Sequence, residues 1–180
     1  MPKHTILSKE TLIEHLKKGY AVKYLHFWGH TQKNPTQIDK SCFSQWFPAA
    51  FHIDGVLYAT AEHFMMAEKA RLFNDTVTRH NIISCSHPNE AKKLGRAVKD
   101  FNPSTWEQHR FEIVVQANQA KFTQHPALKT FLLQTHDKIL VEASPYDTIW
   151  GIGMGVADPN ASQPHYWKGL NLLGFALMRV

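Results

Sequence analysis

The sequence predicts a helix-dominated α+β domain with a small β-sheet, and three observations carry that reading. From Thr60 onward, apolar residues recur mainly at helical spacing. Short aromatic or alternating runs at Tyr20–Trp28, Phe51–Tyr58 and Ile139–Ala143 interrupt the helical segments as strands. At 180 residues, 43% hydrophobic and 12% aromatic, the chain can bury one real core but not two comfortable ones. It shows no internal repeat, no low-complexity tract and no linker, so a single domain over residues 1–180 is expected.

The elements follow in order. Ser8 is placed to cap a short first helix with Leu12, Ile13 and Leu16 on one face, stopped at Gly19. Tyr20 to Trp28 alternates as a strand, and the polar stretch Gln32–Ser41, with Asn34-Pro35, is a loop. Asp54-Gly55 sits between two short runs and supplies the positive φ angles of a tight hairpin turn. A helix runs from Thr60 to about Phe73, and another starts at Pro88 and continues from Glu90 to Val98. Ser104-x-x-Glu107 reads as a capping box opening a long helix from Trp106 to about Phe122. Its stripe of Trp106, Arg110, Ile113, Ala117 and Ala120 steps 4-3-4-3 along one face. Pro126 starts a helix through Leu133, Ile139–Ala143 is a strand, and Leu170–Met178 is a buried helix.

Composition narrows the function classes. No apolar run approaches the ~18 residues of a membrane span, so no membrane association is expected. Met1-Pro-Lys-His leads into a polar stretch, which argues against a secretion signal and for a cytoplasmic protein. Two cysteines without a CxxC pairing read as ordinary thiols of a reducing compartment. The net charge of +5 favours an anionic partner: a nucleotide, a sugar phosphate or nucleic acid. The basic residues are scattered, so nucleic acid would enter only as substrate. His26-x-x-x-His30 has helical ligand spacing, but Phe27-Trp28-Gly29 between them is not helical, and no metal site is expected.

Three constellations could carry chemistry. On the Thr60–Phe73 helix, Glu62 and Lys69 fall within about 20° of the same face, two turns apart, with Met66 between them. The same spacing also suits a surface pair flanking a core methionine. In Val141–Gly153, Glu142 ends an apolar strand, Asp147 and Trp150 follow in a loop, and Gly151 lets backbone approach a ligand; a packed glycine-rich turn reads equally from these residues. Near the chain end, Asn171 is a lone amide in an apolar helix, so it either ties a loop or touches a ligand.

These pieces together resemble the NADAR family of YbiA-like proteins. The matching segments are Phe43-Ser-Gln-Trp-Phe-Pro48, Ala61-Glu-His-Phe-Met-Met-Ala-Glu-Lys69, Ala91-Lys-Lys-Leu-Gly-Arg96, Trp106 with Arg110, and Lys121-Phe122. They continue with Leu140-Val-Glu-Ala-Ser-Pro-Tyr-Asp147, Trp150-Gly151 and Trp167-x-Gly-x-Asn-x-Leu-Gly174, in family order from about Tyr24 to the C-terminus. Ser44-Gln45 stands where the family commonly has Ser-Asn, and Phe64-Met65-Met66 where it commonly has Tyr-Phe-Gln.

The resemblance implies an N-glycosidase that needs no cofactor. Its substrates would be phosphorylated ribosyl intermediates of early riboflavin synthesis, or ADP-ribosylated guanine; a non-catalytic ADP-ribose-binding module is the third possibility. Cleaving a C–N glycosidic bond builds positive charge on the sugar, which a carboxylate stabilises while an acid protonates the departing base. Glu62, Lys69 and Asp147 are then the expected catalytic residues, with Glu62 and Asp147 expected to face one pocket. Trp106 and Trp150 would stack or cover the substrate, and Arg96 and Arg110 would hold phosphate. Ser44, Gly151 and Asn171 complete the expected binding set, and Glu142 is either catalytic or structural.

Overall fold

The structure, a computed structural model, describes residues 6–180, so the expectation about Met1 to His4 falls outside the described residues. Among the described residues seven α-helices and four short strands follow one another, in agreement with the helix-dominated α+β class. Backbone contacts divide the chain into two compact units, residues 1–44 with 130–180, and residues 45–129. No helix among the described residues is long and apolar enough to cross a membrane.

The first unit begins with α1 (Lys9–Lys17), capped as expected by Ser8 in a reciprocal box with Thr11. Leu12 is its fully buried anchor. β1 is shorter than its aromatic run, covering only Tyr24–Phe27. The reason is its partner: β4 (Ile139–Glu142) pairs with it in parallel, Tyr24 opposite Ile139 and Phe27 opposite Glu142, and only four residues are available to pair. Ile139, Leu140 and Val141 are all buried, as a parallel strand covered on its faces requires. α7 (Leu172–Arg179) packs on β4 and is buried from Leu173 to Met178. It starts two residues later than its apolar run because Asn171 takes a left-handed conformation, φ 56°.

In the second unit, β2 (Phe51–Ile53) and β3 (Val56–Tyr58) form the expected hairpin. Asp54 and Gly55 both have positive φ, 50° and 77°, which is the turn that Asp-Gly favours. The strands among the described residues lie in two two-stranded sheets. α2 (Ala61–Leu72) is capped by Thr60 and packs against α3 (Thr76–Ser84), α4 (Pro88–Arg96) and α5 (Pro103–Gln124). α3 has no counterpart in the sequence reading, since its β-branched residues are weak helix formers. Asp75 sets it: one oxygen accepts from Thr78 N–H at 3.0 Å, the other from Lys99 N–H at 3.0 Å. The start of α5 differs from the expected box at Ser104. Asn102 is the cap, accepting from Thr105 N–H at 3.0 Å, because Pro103 suits the first helical position and leaves Ser104 inside the turn. α6 (Pro126–Leu133) follows as expected, and the two units divide within it.

Candidate active site

α2 is buried through its first two turns. Every residue from Ala61 to Ala67 is buried, and Glu62 is only 4% exposed, which rules out the surface reading of that residue. The Glu62 N–H donates to the Gln45 carbonyl at 2.9 Å, tying the first turn of α2 to the segment before β2. Two turns on, half-buried Lys69 holds its Nζ 4.1 Å from the centre of the Phe101 ring and 5.8 Å from that of Trp106. Burial pushes the Lys69 pKa below the usual lysine value, and the Arg96 charge pushes it further down; Glu62 acts the other way. The structure thus brings Glu62, Lys69, Arg96 and Trp106 into one neighbourhood of the second unit.

Arg96 is exposed at the end of α4. Trp106 and Arg110 are half-buried on the same face of α5, one turn apart. Arg110 approaches Glu107 only at 3.9 Å, a long contact that leaves most of its guanidinium donors to other partners.

Sequence reasoning missed several residues here. Phe101 is the ring beneath the Lys69 ammonium, and it stacks edge-on with Phe73 at 5.4 Å. Its signal was a lone aromatic in the polar stretch Asp100–Asn102. Gln45 and Asn118 form a buried amide pair, Asn118 Nδ2 donating to Gln45 Oε1 at 2.8 Å and to the Val114 carbonyl at 2.9 Å. Gln45 Nε2 and Asn118 Oδ1 remain buried without a partner. Lys121 is fully buried, with the Phe47 and Phe122 rings 5.5 and 5.2 Å from its Nζ. His63, also buried, bonds Thr60 Oγ1 at 2.8 Å and the Cys85 carbonyl at 3.1 Å, and burial lowers its pKa. Both of its ring nitrogens are committed to structure.

The first unit holds the remaining expected residues. Asp147 Oδ1 accepts from the N–H groups of Ile149 at 2.8 Å and Trp150 at 2.7 Å, so that oxygen builds the turn. Trp150 is half-buried, and its carbonyl accepts from Leu173 N–H at 3.1 Å. At Gly151 a Cβ would meet the Glu142 carbonyl at 2.9 Å and the Asp147 carbonyl at 3.0 Å, so neighbouring chain occupies the space there. Asn171 resolves its two readings toward structure: Oδ1 accepts from Glu142 N–H and Nδ2 donates to the Leu140 carbonyl, both at 2.9 Å, with the residue wholly buried. Glu142 ends β4, and its carbonyl accepts from Ile152 N–H at 3.0 Å. Ser44 closes the 3-10 turn Lys40–Phe43 through its N–H to the Ser41 carbonyl.

A cavity of about 570 Å³ lies in the first unit, at the amino ends of β1 and β4, among His15, Lys23, His136 and Lys138. It contains none of the expected site residues. Among the described residues no three His, Cys, Asp or Glu side chains gather to hold a metal ion.

Comparison with known proteins shows what this arrangement belongs to. The NADAR domain matches residues 26–180. The chain is 43% identical over 163 residues to an N-glycosidase of Acanthamoeba polyphaga mimivirus, covering 88% of this chain and 94% of that protein. It is 32% identical over 145 residues to the N-glycosidase YbiA of Escherichia coli K12, covering 81% and 82%. The NMR structure of E. coli YbiA superposes with a TM-score of 0.67 at 28% identity, covering 89% of this chain and 86% of that one.

Proposed function

The chain belongs to the NADAR family and is a glycosidase of N-glycosyl bonds, and from that premise we propose that it cuts ribose C1 from the base nitrogen of a phosphorylated ribosylamino-pyrimidine, the riboflavin-pathway type. The observation that carries the chemistry is the pair on α2: a buried carboxylate, Glu62, and a lysine of lowered pKa, Lys69, whose ammonium rests on the Phe101 ring.

A ribosylamine in equilibrium with its ring-opened form presents C1 as an electrophilic iminium carbon. Neutral Lys69 Nζ adds to C1, and Glu62 carries the proton from Nζ to the departing nitrogen. The C1–N bond to the base then breaks, leaving a Schiff base between C1 and Lys69. Water adds to C1, Glu62 passes a proton from that water to Nζ, and the C1–Nζ bond breaks to release the free sugar. The net change is one water consumed and one C–N bond hydrolysed. Trp106 covers the sugar, and Arg96 and Arg110 hold its phosphate. In the first unit, Asp147 and Asn171 hold the backbone around β4 in place. Two thiols without a disulfide suit a cytoplasmic setting.

The net charge of +5 favours a second reading, removal of ADP-ribose from guanine in nucleic acid by the same two residues. Incubation with ribosylamino-pyrimidine phosphates, NAD, ADP-ribose and ADP-ribosylated guanine oligonucleotides, followed for released base, separates the two. Borohydride added during turnover tests the covalent step: the sugar fragment should be trapped on the peptide carrying Lys69. No adduct, together with near-normal activity of Lys69→Arg, would exclude that route.

A further inference from the structure

The carboxyl ends of β1 and β4 carry two aromatic side chains that the fold does not use. Trp28 follows β1 directly and is 56% exposed; among the five tryptophans it alone is exposed, the others being half-buried or buried. Tyr146 follows β4 and is 87% exposed. Their ring centres lie 6.2 Å apart with the planes inclined by 55°. Large aromatic surface left in water is disfavoured unless something covers it.

The backbone beneath the pair is fixed. Tyr146 sits in the turn that Asp147 holds through two backbone N–H groups. Trp28 is anchored on one side by buried Phe27, whose carbonyl accepts from Ala143 N–H at 2.9 Å, and on the other by the Gly29 turn at φ 85°. Rigid backbone thus presents two solvent-facing rings side by side. A cation stands close in the chain: Lys40 Nζ donates to the His26 carbonyl at 2.7 Å, two residues before Trp28, and that bond uses one of its three hydrogens. Open parallel strands collect ligands at their carboxyl ends, where loops from both strands meet.

We propose that Trp28 and Tyr146 form a stacking site for the planar heteroaromatic base of a nucleotide-like ligand, with Lys40 facing its phosphate. The indole supplies the stacking face. The inclined phenol ring stands beside the indole, and its two side-chain torsions let it turn onto the edge of the base. The nucleotide-like class of the ligand rests on the N-glycosidase reading above; the stacking itself does not require turnover.

The test is calorimetric binding of GMP, UMP and ribose 5-phosphate to the full chain, with a single-stranded hexanucleotide as a further arm. The wild type should bind both nucleotides more tightly than ribose 5-phosphate. Trp28→Ala should weaken nucleotide binding by about 10- to 100-fold and leave ribose 5-phosphate unchanged, the range expected for one base on one aromatic ring. Trp28→Phe should recover most of the loss, which separates stacking from misfolding. Trp28-dependent binding of the hexanucleotide above the mononucleotides identifies nucleic acid as the source of the base; equal binding identifies a small nucleotide. The proposal falls if the wild type shows no preference for nucleotides over ribose 5-phosphate, or if Trp28→Ala binds nucleotides normally. Absence of base release with Trp28-dependent binding intact counts against the hydrolytic mechanism alone.

Discussion

The polar residues of α2 and those around β4 read alike in the sequence and do different work. Glu62 lies in the first turn of α2, where a helix end favours an acid, and Lys69 lies two turns on, where the backbone bonds itself through i to i−4 pairs. Asp147 sits in irregular chain and Asn171 beside the edge of β4 that faces away from β1, and in both places backbone N–H and C=O groups lack ladder partners. Both are therefore drawn into backbone bonding: Asp147 to Ile149 and Trp150, Asn171 to Leu140 and Glu142. Burial separates the two acids: Glu62 is almost wholly enclosed, while Asp147 is half-buried and its Oδ1 already serves the turn.

Substitutions can break or sharpen that contrast. The largest effects should come from α2: Glu62→Gln and Lys69→Arg should each lower kcat by about 10² to 10⁴, the usual worth of a positioned proton carrier or nucleophile. Thermal melts of the same variants should stay close to wild type. Asn171→Ala should do the reverse. It strands the Glu142 N–H and the Leu140 carbonyl and forces alanine into a left-handed backbone, costing about 2–4 kcal/mol of stability. Denaturant unfolding measures the loss, while activity per folded molecule should hold.

The pH behaviour of Lys69 is a finer probe. Its neutral fraction rises as pH climbs through its pKa, so the labelling rate by an amine-specific reagent rises along the same limb. Arg96 lowers that pKa, so Arg96→Gln should move the limb to higher pH; Glu62 raises it, so Glu62→Gln should move the limb to lower pH. Peptide mass spectrometry of labelled protein reads both shifts, and a limb unmoved by either change would dissociate Lys69 from these neighbours. Smallest of all should be Asp147→Asn, because the amide oxygen still accepts from Ile149 and Trp150; a few-fold change in kcat is expected. A loss equal to that of Glu62→Gln would instead establish Asp147 as the second acid and erase the contrast.

Much of the fold was legible along the chain. The Ser8 cap, the Asp54-Gly55 turn and the prolines opening α4 and α6 all act within a few residues of themselves, so their sequence signals suffice. Even the misplaced start of α5 was local: Asn102-Pro103 outcompetes Ser104 by being a cap followed by a residue preset for the first turn. The composition, the charge and the ordered motifs that mark the family were legible in the same way.

Tertiary structure decided the rest. α3 exists because Asp75 reaches both Thr78 and Lys99 and because Ile82 is buried, and β1 ends where its parallel partner does. Whether Glu62 is surface or core, whether Asn171 holds a ligand or a strand, and which ring lies under Lys69 depend on residues tens of positions away. A cap or a turn is settled by the dihedrals and hydrogen bonds of neighbouring residues. Burial, pKa and side-chain partnership are settled by what the folded chain packs against each group, and a period of 3.6 or 2 carries no record of that.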